Sequence, residues 1–261
     1  MLGKITDEHT SGNNAPTDSI GFAAETLLPA RRRASLFIAY CVALAVSGQL
    51  AAAQSAPPVP TAPQARFVVV LDAAHGGDDS GGRLVNNQLE KSFTLALSVR
   101  LRSLLTARGI QVVTIRESDV AVEPEKRAEI ANHAAAQACL SLHASETGLG
   151  IHLFASSLSP IQPTRFAAWK TAQAAWVTRS LALEGVLNSA LQHAGMSVTL
   201  GRTSLPVVDS MTCPAVAVEI APEMGPDKKV GAGLDDPDYQ ARVAAALAAA
   251  LVEWRSEARQ P

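Results

Sequence analysis

The segment FVVVLDAAHGGDDSGG, residues 67–82, gives the clearest indication of the fold of this chain. Its first six residues form a continuous apolar run, and the rest is a glycine-rich, turn-prone segment. This order is typical of a parallel strand that is buried on both faces. Apolar residues then recur at helical spacing over 90–107, and QVVTI at 111–115 predicts the next strand. The region therefore begins as strand, helix, strand.

The same alternation continues to the end of the chain. We expect a helix that begins at Pro124, because proline suits the first turn. The other predicted elements are strands at 138–143, 150–154 and 215–220 and helices over 167–192 and 239–258. Such alternation predicts an α/β fold with a mostly parallel central sheet of about five to six strands and helices on both faces.

The composition suits one folded domain of ordinary size, since 48% of the 261 residues are hydrophobic and 18% are charged. The formal net charge is only -2, so we expect no general affinity for nucleic acid or for anionic lipid. Aromatic residues make up 4%, which leaves little material for stacking platforms. The partner has to be inferred from a site.

The three cysteines have no CxxC spacing and therefore predict no cysteine-rich metal site. Cys41 lies in a segment that we expect to be removed. For Cys139 and Cys213, each inside or beside an apolar run, the prediction is two buried free thiols. A single disulfide between them is the open alternative.

The first 53 residues contain the pattern of an export signal. Three arginines at 31–33 precede an apolar run at 34–46, and small residues at 51–53 offer a cleavage site. The run is shorter than the roughly 20 residues that span a bilayer. We predict an N-terminal extension and signal peptide at 1–53, a proline-rich linker at 54–65 and one catalytic domain at 66–261.

This prediction places the mature protein outside the cytoplasm, in the periplasm or the cell wall, with no stable membrane span once the signal is cleaved. About 30 polar residues precede the arginines, which is long for such a signal. A start codon assigned too early and an uncleaved anchor with a cytoplasmic tail both remain open.

Four residues with catalytic or metal-binding side chains occupy strand ends or a helix start. His75 follows the first strand, His143 ends the third, and Glu219 lies near the end of the last. Because sites in α/β sheets assemble at the carboxyl ends of strands, these residues should converge. Glu90 joins them from the start of the first helix, where a carboxylate also suits the helix dipole.

Two histidines, a glutamate and an open position form a common catalytic zinc sphere, which activates water for hydrolysis. A second glutamate beside that water would be the general base. Asp78 competes with Glu90 as a ligand, because HGGD places a carboxylate three residues after His75, and a glutamate at a helix start is often only a cap. Glu223 replaces Glu219 if the register of the last strand differs.

Six strings resemble the zinc-dependent N-acetylmuramoyl-L-alanine amidases (amidase type 3), in order and spacing, across nearly all of 66–261. They are LDAAHGG (71–77), LEKSFTLALSVRLRSLL (89–105), IRESD (115–119), KRAEIAN (126–132), SLHAS (141–145) and PAVAVEIA (214–221). The resemblance implies that His75, Glu90 and His143 bind Zn²⁺ and that Glu219 is catalytic. The implied substrate is peptidoglycan, cut at the amide between the lactyl group of N-acetylmuramic acid and L-alanine.

Three further residues match these strings, Arg116, Asp119 and Arg127, and we predict that they are structural ion-pair or hydrogen-bond partners. The chain departs from the family where Ala74 replaces a glycine, so the loop that carries His75 should differ slightly. We expect the 167–194 segment to be a framework helix and not a plug over the site.

Two other functions stay open at this point. One is a different zinc peptidase that acts on stem peptides, and the other is an inactive wall-binding module. We recognise no separate wall-binding domain in the sequence, so we expect targeting to come from the catalytic domain, from the linker or from another protein, and a regulatory or targeting protein is one expected partner.

Overall fold

The structure is a computed structural model that describes residues 66–162 and 168–258. The predicted extension, signal peptide and linker at 1–65 lie outside these residues. Among the described helices, none combines the length and the apolar character needed to cross a bilayer.

A central sheet is formed by six described strands, which are β1 (Val68–Ala73), β2 (Gln111–Thr114), β3 (Ala138–Ala144), β4 (Ile151–Ser156), β5 (Val198–Thr203) and β6 (Ala215–Ile220). Their order across the sheet is β2-β1-β3-β6-β4-β5. The first four strands in that order are parallel to one another, while β4 pairs antiparallel with β6 and parallel with β5. The mostly parallel sheet is confirmed.

Helices cover both faces of this sheet, and the described ones are α1 (Glu90–Thr106), α2 (Pro124–His133), α3 (Val177–His193), α4 (Pro206–Asp209) and α5 (Pro237–Glu257). α1, α3 and α5 share one apolar core with Val69 and Leu71 of β1, whereas α2 and α4 cover Val68 and Val70 on the other face. Alternate residues of β1 thus enter opposite cores, which is why its sequence is apolar throughout. The predicted two-sided fold is confirmed.

The predicted helix over 167–192 is confirmed from Val177 onward, but it is not one continuous helix. Residues Trp169–Ala175 form a 3₁₀ segment in which Thr171 has non-helical angles, and α3 begins only at Val177. The buried side chain of Gln173 explains the break, because its amide donates to the carbonyl oxygens of Met211 and Cys213, at 2.9 and 3.0 Å. This tertiary anchor holds the segment against the chain that leads into β6.

The prediction of two free thiols is also wrong, since a disulfide joins Cys139 and Cys213. Cys139 pairs in register with Ala215, and its N–H donates to the carbonyl of Pro214 at 2.8 Å. Adjacent pairing of β3 and β6 therefore brings together two cysteines that are 74 residues apart.

Among the described strands and α-helices, two were not predicted, β5 and the short α4. β5 is VTLGRT at the edge of the sheet, and several of its residues are exposed, so it lacks the apolar run that marks the central strands. α4 is only four residues long, too short for a helical period to be visible in the sequence.

Candidate active site

The structure brings His75, Glu90 and His143 together at the carboxyl edge of the sheet. One possible ligand atom from each lies within 4.8 Å of the others. His75 Nε2 is 3.1 Å from Glu90 Oε2, and His143 Nδ1 is 3.2 Å from Glu90 Oε1. Over the described ranges, this is the one group of three or more His, Cys, Asp or Glu side chains close enough to share a metal ion. We call it the His-Glu-His cluster.

Glu219 lies next to this cluster because of the strand register. β6 pairs with β3 so that Glu219 is the direct partner of His143, and β4 places His152 on its other side. Directly paired residues point to the same face of a sheet. The half-buried carboxylate of Glu219 borders the same cavity as the three clustered side chains.

The two alternative carboxylates lie outside the cluster. Asp78 is exposed in the turn after His75. Glu223 forms an ion pair with Arg242 of α5. Glu90, by contrast, is buried, and its two oxygens accept the N–H groups of Gly82 and Ala144, at 2.8 and 3.1 Å.

Each histidine is oriented by a hydrogen bond on the nitrogen that faces away from Glu90. His75 Nδ1 lies 2.8 Å from Asp79 Oδ2. His143 Nε2 lies 3.3 Å from the hydroxyl of Ser141, which donates in turn to buried Asp72 at 3.0 Å. A histidine that donates with one nitrogen offers the lone pair of the other, which is the usual arrangement around a metal.

These orienting groups were missed in the sequence. Asp79 follows His75 by four residues, and the doubled aspartate of HGGDD is the signal that could have indicated it. Asp72 is the single polar residue of an otherwise apolar strand, so its buried charge needs a partner. Ser141 pairs with it in register across β1 and β3.

The loop that carries His75 is fixed by the three residues predicted to be structural partners. Arg116 is buried and donates to two carbonyl groups at the end of β1, at 2.8 and 3.0 Å. Arg127 forms a buried ion pair with Asp72 and donates to the carbonyl of His75 at 2.7 Å. Asp119 accepts the N–H of the loop glycine Gly77 at 2.8 Å. Their predicted role is confirmed.

The replacement of the family glycine by Ala74 leaves the backbone of this loop unstrained at that position. The left-handed angles occur one residue later, at His75 itself, with φ of 63°, and at the glycines that follow. Gly81 is also left-handed, and a Cβ there would lie 2.5 Å from the His75 ring and 2.7 Å from Glu90 Oε2. Glycine at 81 is thus required by space as well as by conformation.

The electrostatics of the cluster favour positive charge between its members. Burial opposes ionisation of Glu90, yet hydrogen bonds from His143, His75 and two backbone N–H groups together hold its pKa well below the ordinary value. The hydrogen bond with Glu90 is the main reason that the pKa of His75 is raised, against the effect of burial. A carboxylate that remains ionised between two imidazoles attracts a cation.

A protein-family model described as N-acetylmuramoyl-L-alanine amidase matches residues 69–253, which is most of the chain. The chain belongs to this family. It is 33% identical over 90 residues to the germination-specific N-acetylmuramoyl-L-alanine amidase of Bacillus subtilis, a match that covers 29% of this chain and 38% of that protein.

A second relative is the N-acetylmuramoyl-L-alanine amidase AmiA of Escherichia coli, 39% identical over 77 residues, covering 30% of this chain and 27% of the relative. The matched stretches thus span well under half of the curated relatives. Among solved structures, the catalytic domain of the amidase CwlV from Bacillus (Paenibacillus) polymyxa superposes with a TM-score of 0.57 at 27% identity, over 73% of this chain and 98% of that domain.

In this member of the amidase family, two cavities of different character meet at the cluster, and both are bordered by His75 and His143. One of about 300 Å³ lies toward α2 and α4 and has an apolar wall of Val122, Pro124, Leu205, Pro206, Val207 and Val208. The other, of about 420 Å³, is bordered by the polar side chains of Arg83, Ser145, Glu146, Thr147 and Glu219. We call them the apolar cavity and the polar cavity.

Proposed function

We propose that this chain is a zinc-dependent amidase that hydrolyses the bond between the lactyl group of N-acetylmuramic acid and L-alanine in peptidoglycan. The proposal is based mainly on the position of His75, Glu90 and His143, whose possible ligand atoms lie within 4.8 Å of one another, beside Glu219. Family membership indicates the bond that is cut.

The donor set fits Zn²⁺. Two imidazole nitrogens and one carboxylate oxygen are a ligand set of catalytic zinc sites, which keep a further position open. Asp79 and Ser141 each engage the far nitrogen of a histidine, as second-sphere groups around metals do. We assign His75 Nε2, His143 Nδ1 and Glu90 as the ligands.

A zinc ion held by His75, Glu90 and His143 would supply Lewis-acid chemistry, which polarises a carbonyl and makes water a stronger nucleophile at neutral pH. The chain supplies the remaining steps. Glu219 accepts the proton of the attacking water and transfers it to the nitrogen of L-alanine, so that the amide breaks with a neutral amine as leaving group. The short links from Arg116 and Arg127 to the loop keep His75 in place while this occurs.

The test measures products and metal separately. Purified chain loaded with zinc should release muropeptides whose new amino terminus is L-alanine, whereas a peptidase that cuts within the stem would release another residue. Glu219→Gln should keep one zinc per chain and lose about 100-fold or more of the activity. The matched control is Glu223→Gln, which removes the nearby glutamate paired with Arg242 and should leave the rate near wild type.

The ligand assignment has its own pair of variants. Glu90→Gln should lose zinc, while Asp78→Asn, which alters the exposed competitor in the same loop, should retain it. Zinc bound by neither wild type nor Asp78→Asn would favour the inactive wall-binding module over the enzyme.

We also propose that residues 1–53 direct export to the periplasm or cell wall and that 54–65 link them to the catalytic domain at 66–261. The basic, apolar and small-residue order of 31–53 supports this. Mass spectrometry of the exported protein should find a new amino terminus after Ala53, and a mature chain that retains the apolar run would establish an anchor instead.

A further inference from the structure

The wall of the apolar cavity continues along the surface to an exposed tryptophan. A second depression, of about 330 Å³, shares Pro124 and Pro206 with that cavity and is bordered by Trp169 and Lys170. Trp169 is 53% exposed, and the Lys170 ammonium lies 5.2 Å from its ring centre. In a chain so poor in aromatic residues, a large exposed indole at the end of a groove that leads from the His-Glu-His cluster is a feature of binding surfaces.

The position of Glu219 indicates which side of the substrate lies in which cavity. This step depends on the function proposed above, in which Glu219 delivers a proton to the leaving amine. Glu219 borders the polar cavity, whereas Ala217, two residues earlier on the same face of β6, borders the apolar cavity. The amine, and therefore the peptide that it begins, should lie on the polar side.

The chemistry of each cavity agrees with this direction. The polar cavity contains Arg83, whose guanidinium is held by the side chain of Asn87, and a guanidinium is suited to bind a carboxylate. Stem peptides carry carboxylates beyond their first residue. The apolar cavity suits methyl groups, such as those of the lactyl ether and the N-acetyl group, and an indole suits the apolar face of a sugar ring.

We propose that the substrate binds across the His-Glu-His cluster in a single orientation, with its stem peptide on the polar side and its glycan on the apolar side. The stem peptide occupies the polar cavity, where Arg83 binds a carboxylate of its second residue. The lactyl and N-acetyl groups occupy the apolar cavity, and a sugar ring of the glycan packs on Trp169.

Three substrates and two variants of the full, zinc-loaded chain test this direction. The first substrate is a disaccharide muropeptide with a free α-carboxylate on its second residue. The second carries a carboxamide at that position, and the third replaces the sugar by a methyl group on the lactyl oxygen. The readout is the ratio of kcat/KM between substrates within one variant, which does not depend on how much of the variant is folded.

Trp169→Ala should lower kcat/KM about tenfold on the first substrate and leave the sugar-free substrate nearly unchanged. Arg83→Gln should lower it about tenfold on the carboxylate substrate and little on the carboxamide. The matched controls are Leu200→Ala, an exposed apolar residue on edge strand β5, and Arg66→Gln, an exposed arginine before β1, and neither should change the ratios.

Equal losses on the sugar-bearing and sugar-free substrates would overturn the assignment of Trp169, and equal losses on carboxylate and carboxamide would overturn that of Arg83. If the loss of kcat/KM in Arg83→Gln depended on the sugar and that in Trp169→Ala on the peptide carboxylate, the glycan would lie in the polar cavity and the stem peptide in the apolar one, opposite to the proposal. A wild-type chain that frees no L-alanine amino terminus from any of the three substrates would refute the proposed function itself.

Discussion

Replacement of Arg127 by glutamine should destabilise the fold far more than the loss of an exposed arginine with a similar partner. The side chains of Arg127 and Asp72 are 7% and 2% exposed, whereas those of Arg102 and Glu117, which form a comparable pair, are 40% and 68% exposed. Loss of one partner of a buried pair leaves an uncompensated charge and costs about 3–5 kcal/mol. An exposed pair contributes at most about 1 kcal/mol.

The measurement is the free energy of unfolding from urea titration of Arg127→Gln and Arg102→Gln. Asp72→Asn and the double variant Asp72→Asn with Arg127→Gln complete a cycle that isolates the interaction. We expect the double variant to be more stable than Arg127→Gln alone, because the stranded aspartate is then neutral. Equal losses, within about 1 kcal/mol, for Arg127→Gln and Arg102→Gln would refute the argument from burial.

The same substitution should also weaken the proposed metal site. Arg127 donates to the carbonyl of His75 at 2.7 Å, so its loss releases the loop that holds one ligand. Zinc affinity should fall about tenfold, in the range seen for residues that orient metal ligands. Arg102→Gln should leave zinc affinity unchanged.

Three further changes have expected outcomes. Gly81→Ala should reduce zinc affinity, measured by calorimetry, about tenfold or more, because its Cβ would lie 2.5 Å from an imidazole carbon of the cluster. Gly109→Ala, at a left-handed position with open space, should lower only the free energy of unfolding, by about 1 kcal/mol, through backbone strain. Burial raises the pKa of Glu184 from 4.5 to about 7. The protonated carboxyl group therefore contributes its full share of the free energy of unfolding below pH 4.5, and this contribution disappears as the pH rises through 7. Wild type should therefore lose about 3 kcal/mol of unfolding free energy between those values relative to Glu184→Gln, and parallel pH profiles would contradict this. Removal of the disulfide in the double variant Cys139→Ala with Cys213→Ala should lower the free energy of unfolding by about 2–4 kcal/mol. Urea midpoints of the wild-type chain that are the same with and without reductant would show that the bond adds no stability.

Much of the fold could be predicted because β1, at its centre, has two signals in the sequence, an apolar run and a glycine-rich loop after it. β1 is apolar throughout and is followed by a glycine-rich loop, so its burial on both faces and its end are visible in one string. Edge strand β5 has no apolar run of this kind, because among the described strands it has a neighbour on one side only, and polar residues are tolerated on the other. Trp169–Ala175 has helical spacing in the sequence, yet the buried hydrogen bonds of Gln173 hold it in a 3₁₀ segment instead.

Some residues of the candidate site could likewise be predicted from the local sequence, whereas others could be assigned only from contacts in the folded chain. His75, His143 and Glu219 could be named because each ends a strand, and parallel strands end at one edge. Glu90 could not be separated from Asp78 by local spacing, because both are carboxylates near His75 in the sequence. The structure separates them by burial, since Glu90 faces both imidazoles and Asp78 faces solvent.

The amino-acid sequence alone was enough to predict the central strands, most of the helices, the placement of His75, His143 and Glu219 at strand ends, and the resemblance to the amidase family. Three features became visible only in the folded chain: the groups that orient the candidate ligands, the bond between Cys139 and Cys213, and the polar and apolar cavities that meet at His75 and His143. The physical reason is that strand periodicity is local, whereas register between strands joins residues such as Asp72 and Ser141 that are far apart in the chain.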